Sequence, residues 1–184
     1  MKPLRSLSDS GLLRRMRRGE EDAFGVLYGR YSRPVYRFVL HMTGKQESAE
    51  EITQETFLVL IRRPQDYNPE RGSVAAWLLG IARMLVRRIE QPTRRLESIE
   101  DFGEWPASCD VLNDLTRRET VDAVRDAVLT LPPVYREAIV LCEFEELDYA
   151  HAAAVLDCPV GTVRSRLHRA RNLLASKLQT RCFA

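Results

Sequence analysis

Apolar residues recur at intervals of three and four along most of the chain, and no stretch alternates apolar and polar residues with a period of two. A spacing of three and four places side chains on one face of an α-helix, whereas a half-buried β-strand needs the period of two. The pattern therefore predicts an all-α protein in which each helix buries one face.

Four helices are predicted before residue 92. The first begins at an N-cap, Ser8, and ends at Gly19, and the second runs from Glu21 to Gly44 with a bend or a restart at Pro34. The third begins with capping-box spacing and ends before a proline, and the fourth begins at a serine cap. The predicted buried stripe of the second helix is Phe24, Leu27, Tyr28, Tyr31, Val35, Phe38, Val39 and Met42. The third helix starts with Ser48-Ala49-Glu50-Glu51, and its stripe is Ile52, Thr56, Val59 and Leu60. The fourth helix is capped by Ser73, and its stripe is Val74, Trp77, Leu78, Ile81 and Leu85.

The third helix carries more apolar residues than one core can cover. Phe57, Leu58 and Ile61 lie off its predicted stripe. A helix that is apolar on more than one side usually packs against more than one neighbour. We therefore expect a further packing partner for this surface.

The helical pattern fades between residues 96 and 116, where acidic residues occur without an intervening lysine or arginine. We predict two small helical domains, residues 8–91 and 117–184, joined by an acidic linker over residues 92–116. A solvated tether explains such a linker, and an acidic segment that mimics nucleic acid is the alternative.

The second predicted domain contains a helix-turn-helix. The first helix of this domain begins near Arg117 and ends at the double proline 132–133, and the second helix continues to about Phe144. Two further helices, near 149–156 and 161–178, are joined by a short turn at 157–159, which is typical of a helix-turn-helix. The predicted buried stripe of the first of these four helices is Val121, Val124, Val128 and Leu131.

The last helix separates apolar from basic residues. Val163, Leu167, Ala170, Leu174 and Leu178 form one stripe, and the basic residues lie off it near the start of the helix. The start of the second helix of a helix-turn-helix enters the major groove, where arginine can bind guanine or neutralise phosphates. The predicted DNA-contacting residues are Thr162, Arg164, Ser165, His168, Arg169 and Arg171.

Composition narrows the class of function. The 184 residues have a net charge of +2, and no apolar run approaches the ~18 residues that span a bilayer. We expect a cytoplasmic protein without membrane insertion. No phosphate-binding loop, nucleophile motif or metal-ligand spacing is present, so we predict no enzymatic activity, no cofactor and no metal site. The cysteines, which show no zinc or disulfide spacing, are Cys109, Cys142, Cys158 and Cys182.

Several strings in a fixed order resemble one protein family. In the first domain they are Ala23-Phe24 with Leu27-Tyr28, Ala49-Glu50-Glu51-Ile52-Thr53-Gln54-Glu55-Thr56-Phe57, and Ala76-Trp77-Leu78 with Ile81-Ala82-Arg83. In the second they are Leu131-Pro132-Pro133 with Arg136, Tyr149, Pro159-Val160-Gly161-Thr162-Val163-Arg164-Ser165-Arg166, and Arg169-Ala170-Arg171. Together they resemble the extracytoplasmic-function (ECF) sigma factors, the two-domain branch of bacterial RNA polymerase sigma factors.

The resemblance implies that the chain directs RNA polymerase to promoters. It implies as partners the polymerase core, through its clamp helices and flap, promoter DNA and an anti-sigma factor, with a chain that is monomeric when free. It assigns minus-35 DNA to the basic face of the last helix. It assigns the polymerase clamp helices to Glu51, Gln54, Glu55 and Leu58.

Minus-10 recognition and strand opening would fall, by the same resemblance, to the loop 67–73 and the exposed side of the fourth helix. The family pattern has asparagine where this chain has Met84, aspartate where it has Arg88, and glycine where it has Asp157. The arginines of the fourth helix are equally explained as ordinary solvated side chains. The minus-10 candidates are Asn68, Arg71, Arg83 and Arg87.

The main alternative from the sequence is a conventional helix-turn-helix regulator. Such a protein binds a duplex operator without polymerase, usually as a symmetric dimer on a palindromic site. A sigma factor requires core polymerase, so the two functions differ in a measurable way.

Overall fold

The computed structural model describes residues 4–90 and 117–182, without the side chains of residues 5, 117–120 and 179–182, and every regular element in these ranges is helical. The predicted acidic linker lies outside the described residues. We refer to residues 4–90 as the N-terminal half and to 117–182 as the C-terminal half. The helices are α1 (Asp9–Met16), α2 (Glu21–Thr43), α3 (Gln46–Arg62), α4 (Val74–Glu90), α5 (Arg117–Leu129), α6 (Pro133–Ile139, continued by a π-helical turn, Val140–Phe144), α7 (Tyr149–Leu156) and α8 (Val160–Cys182).

Local sequence signals account for several helix ends. The Ser8 hydroxyl accepts a hydrogen bond from the Gly11 amide and caps α1, and the Ser73 hydroxyl accepts one from the Ala76 amide at the start of α4. Gly44 ends α2 with a left-handed φ of 70°. A Cβ there would lie 2.8 Å from Leu129 Cδ1, so glycine is needed for both conformation and space.

Three local predictions were wrong. The capping box is not used, because α3 begins at Gln46 and the Ala49 amide already donates to the Lys45 carbonyl, which places Ser48 inside the first turn. The predicted alternative of a helix restart at Pro34 was wrong, because α2 continues through this residue. The first helix ends at Met16 and not at Gly19, which follows it in a left-handed conformation with a φ of 84°.

A continuous hydrophobic core joins the two halves. The predicted stripes supply most of it, including Phe38, Leu78, Val128 and Leu167, each at most 2% exposed. Two stripe predictions were wrong, because Tyr28 is 46% exposed and lines a groove, as described below, and Val121 is 51% exposed. None of the described helices is long and apolar enough to cross a membrane.

Polar contacts also link the halves. The Arg136 guanidinium donates to the Met42 carbonyl at 2.6 Å, and the Arg37 guanidinium donates to the Glu145 carboxylate at 2.8 Å. The Glu145 side chain is only 2% exposed, and its burial raises its pKa despite the opposing effect of Arg37. The C-terminal half therefore packs against the N-terminal half through charged groups as well as apolar ones.

The contact between the halves should weaken in acid through His41. This ring on α2 packs against Phe144 with a centroid distance of 4.6 Å, and burial lowers the pKa of His41, helped by the charges of Arg125 and Arg37. A lowered pKa favours neutral histidine in the folded state, so this contribution is complete above about pH 6.5 and is lost as the pH falls below it. We expect urea denaturation at pH 7.5 and 5.5 to show a larger loss of stability for the native chain than for His41→Phe, which keeps the ring contact. Equal losses would contradict this role.

Candidate nucleic-acid and protein interfaces

The predicted helix-turn-helix is formed by α7 and α8. The Asp148 carboxylate caps α7 by accepting from the His151 amide at 2.8 Å, and the His151 ring also bonds it, which lowers the pKa of Asp148. Asp157 ends α7 in the left-handed region, with φ 51° and ψ 53°. Aspartate tolerates this conformation better than most residues, which explains how it can stand where the family pattern has glycine.

The basic face of α8 is exposed as predicted. Val163, Leu167 and Ala170 are buried, and the residues between them face solvent except for the half-buried Arg166. Of the predicted DNA-contacting residues, Thr162 is half-buried, and the exposed ones are Arg164, Ser165, His168, Arg169 and Arg171.

Three arginines on this face contact neighbouring side chains, and the weakest contact is that of Arg169, which donates to the Tyr135 hydroxyl at 3.4 Å. The contacts of Arg164 and Arg171 differ in kind. The Arg164 guanidinium lies over the Tyr149 ring, 5.7 Å from its centroid, and the Arg171 Nε lies 3.1 Å from the Glu143 carboxylate. A cation over an aromatic ring is attracted to it without losing its charge, whereas an ion pair offsets the charge. Arg164 is therefore the better placed of the two to meet an incoming phosphate or base.

The predicted minus-10 loop is a short, ordered turn. The Asn68 carboxamide oxygen accepts from the Glu70 amide and caps a 3-10 turn, Pro69–Arg71, and the Tyr67 hydroxyl donates to the Gly72 carbonyl. Both Asn68 and Arg71 are exposed. They border a cleft of about 470 Å³ that continues along α4.

The structure separates the minus-10 candidates into two groups. Asn68 and Arg71 face solvent, whereas Arg83 and Arg87 of α4 bind the C-terminal half through the Glu137 carboxylate. The two arginines are thus neither ordinary solvated side chains nor open to DNA in this arrangement. The departures from the family pattern, Met84 and Arg88, are exposed, with Met84 at 60%.

The surface predicted to bind polymerase borders a groove between α2 and α3. Glu51 and Gln54 are exposed, Glu55 and Leu58 are half-buried, and Gln54 and Leu58 line the groove, whose volume is about 640 Å³. The remaining lining residues are Phe24, Tyr28, Ser32, Arg33, Tyr36, Glu50, Thr53, Phe57 and Ile61.

The second apolar face predicted for α3 is partly covered within the chain and partly exposed. Phe57 is covered within the chain, since its ring packs against Tyr28 at 4.8 Å and Phe24 at 6.2 Å. Ile61 remains 48% exposed and Tyr28 46% exposed. Sequence periodicity assigned Tyr28 to the core because it lies one turn after Phe24, and only the packing shows that its outer edge is left open.

Two family models match the parts of the chain that carry the groove and the helix-turn-helix. The model for sigma-70 region 2 matches residues 27–91, which include the groove and α4, and the model for sigma-70 region 4 matches residues 122–174, which include the helix-turn-helix. The RNA polymerase sigma-H factor of Pseudomonas aeruginosa is 32% identical over 185 residues, which cover 93% of this chain and 94% of that protein. This chain belongs to the ECF family of RNA polymerase sigma factors.

Two further comparisons place the sigma factor among its relatives. The ECF RNA polymerase sigma factor SigE of Mycolicibacterium smegmatis is 38% identical over 150 residues, or 78% of this chain, but the match spans only 57% of that relative. A solved structure, the sigma factor RpoE of Bartonella quintana in complex with the anti-sigma factor NepR, is 26% identical with a TM-score of 0.63, covering 85% of this chain and 96% of that one.

The sigma factor shows no group of metal ligands within the described residues. Cys142 and Cys158 are half-buried free thiols, and burial raises the pKa of Cys142. A raised pKa keeps this thiol protonated and unreactive near neutral pH. The other two cysteines lie outside the described side chains.

Proposed function

We propose that this sigma factor binds core RNA polymerase through the groove between α2 and α3 and directs it to promoters by contacting minus-10 and minus-35 DNA. The observation that carries the proposal is the exposed basic face of α8, which lies opposite a buried stripe and follows a helix-turn-helix turn. A helix presented in this way fits the major groove.

The groove between α2 and α3 supports the polymerase contact. Its walls combine aromatic side chains with the exposed polar groups of Gln54 and Glu50, and its partly open apolar edge suits a helix of another protein. Glu51 and Glu55 flank it and would pair with basic side chains on that partner.

Several further properties belong to this proposal. The chain would act without catalysis or a cofactor of its own, in the cytoplasm, as a monomer when free. The Bartonella quintana structure contains an anti-sigma factor, and we propose that this chain also has one. The stand-alone regulator has less support, because both matching regions are those of polymerase sigma factors.

The experiment that tests the proposal is transcription in vitro. The purified chain is added to sigma-free core polymerase and fragmented genomic DNA of its source, and the start sites are mapped. We expect discrete starts that require both the chain and the core. Site-specific binding of the chain alone to duplex DNA, with no starts, would instead favour the stand-alone regulator.

Leu58→Asp should separate polymerase binding from DNA binding. A carboxylate in the groove would have to be desolvated against apolar walls, so we expect core binding to weaken at least tenfold, which corresponds to about 1.4 kcal/mol. The matched control is Val121→Asp, which places the same charge at an apolar residue of α5 that is 51% exposed. Fluorescence titration of labelled chain with core polymerase measures the effect. Equal affinities of the two variants would remove the groove from the proposal.

A further inference from the structure

A single buried carboxylate ties the C-terminal half to α4. Glu137, on α6, is 1% exposed and is held by two arginines of the opposite half. The Arg87 guanidinium donates from Nε at 2.9 Å and from Nη2 at 3.2 Å to its two oxygens, and the Arg83 Nε lies 3.1 Å from Oε1. Arg83 also donates to the Val155 carbonyl at 3.1 Å. Arg87 thus shows the forked geometry with which arginine binds carboxylates and phosphates alike, and Arg83 adds a second positive charge beside the same carboxylate.

The same donors are those that DNA would need. Arg83 and Arg87 are the backbone-contact candidates of the minus-10 surface, and their side chains are only 12% and 35% exposed. A phosphate cannot approach donors that a carboxylate already occupies. The Glu137 carboxylate of α6 thus occupies the site on α4 at which the proposed function places a DNA phosphate.

The cleft beside the minus-10 loop is closed from the same side. Ala154 of α7 and Asp157, the residue that follows α7, line it together with Asn68 and Arg71, and a Cβ at Gly72 would lie 3.9 Å from the Ala154 Cβ. Asp157 adds a carboxylate to the cleft, and this negative charge would repel the DNA backbone. The helix-turn-helix therefore forms one wall of this cleft, which narrows it and adds a negative charge to it.

The packed arrangement is also too small for promoter binding. The minus-10 and minus-35 elements lie about 25 base pairs apart, or ~85 Å at 3.4 Å per pair. A compact chain of this length has a radius of gyration of ~16 Å. The two halves therefore cannot both reach their promoter elements while they are packed together.

We propose that the free sigma factor is held closed by a latch, the Glu137 carboxylate bound by Arg83 and Arg87, in which Glu137 takes the place of a DNA phosphate. Opening the latch exposes the minus-10 surface and frees the helix-turn-helix. The proposal rests on the proposed function for what α4 binds, but the closed state itself does not.

Glu137→Gln tests the latch with little change of shape. The amide has no charge and presents one acceptor oxygen to the two guanidinium groups, so the halves should separate more readily. The matched control is Glu20→Gln, which removes an acid paired to Arg15 within the N-terminal half. Small-angle X-ray scattering of the free full-length chain should give a larger radius of gyration for Glu137→Gln than for the native chain and the control.

Binding to a fluorescein-labelled 20-nucleotide single-stranded DNA gives the second measurement. A chain that is open about one-tenth of the time binds about tenfold more weakly than an open one, so we expect Glu137→Gln to bind the oligonucleotide up to about tenfold more tightly. Glu20→Gln should match the native chain. A folded Glu137→Gln with unchanged radius and unchanged affinity would overturn the latch.

A second variant and a transcription assay complete the test of the latch. If Glu137→Gln fails to fold, Arg87→Gln removes the forked partner of the same carboxylate at a side chain that is 35% exposed. Scattering should then show the same increase in the radius of gyration, and an unchanged radius for the folded variant would overturn the latch. Transcription with core polymerase separates the latch from the proposed function. Opening without any core-dependent starts would reject the proposed function alone, and core-dependent starts with no opening would reject the latch alone.

Discussion

Arg164→Ala is expected to lower transcription from a promoter with a minus-35 element about 5- to 150-fold while core polymerase binding stays unchanged. Arg164 is exposed near the start of α8, and its guanidinium lies over the Tyr149 ring, a contact that leaves its charge available to DNA. A good arginine contact to a base discriminates by about 1–3 kcal/mol, which corresponds to that range. The measurement is multiple-round transcription in vitro, with core binding measured in parallel.

The control for this prediction is Lys177→Ala. It removes one positive charge from the same helix, far from the end that would enter the groove. A general loss of phosphate attraction would lower transcription similarly in both variants and reduce the salt dependence of both. A loss confined to Arg164→Ala, and absent on a promoter without the minus-35 element, is the expected result. Equal loss of polymerase binding would contradict the separation of the two surfaces.

Phe38→Ala is expected to destabilise the fold by about 3–5 kcal/mol. Phe38 is fully buried in α2 at the centre of the N-terminal half, and the space left by the ring cannot be filled without moving neighbouring helices. Since a folded domain is stable by only about 5–15 kcal/mol, this is a large fraction of the total. Urea denaturation followed by circular dichroism measures it.

Met84→Ala is the matched control for the core. Met84 lies on α4 and is 60% exposed, so its truncation leaves no cavity, and the expected change in stability is within about 0.5 kcal/mol. A loss for Met84→Ala as large as that for Phe38→Ala would mean that its side chain is covered in solution. The same variant, tested in transcription, also shows whether the methionine at this position contributes to promoter opening.

Much of the fold could be predicted because helical periodicity is a local property. The stripes of α4 and α8 are buried largely as predicted, and Ser8, Ser73 and Gly44 mark helix ends through bonds and backbone angles that involve near neighbours. The predictions that failed depend on what surrounds a residue. Tyr28 continues an apolar stripe in sequence, yet α3 covers only one side of its ring. Ser48 has capping spacing, yet α3 begins before it.

Residue types at short, regular spacings were sufficient to predict the all-α class, the basic face of α8 and the family resemblance. The burial and the ion pairs of Glu137 depend instead on how distant helices pack. In sequence it is one more acidic residue on a short helix, fifty positions from Arg87, and its near-complete burial follows only from the packing of α6 on α4. A buried carboxylate needs partners to offset its desolvation, and those partners come from the other half of the chain, so no local pattern could reveal them.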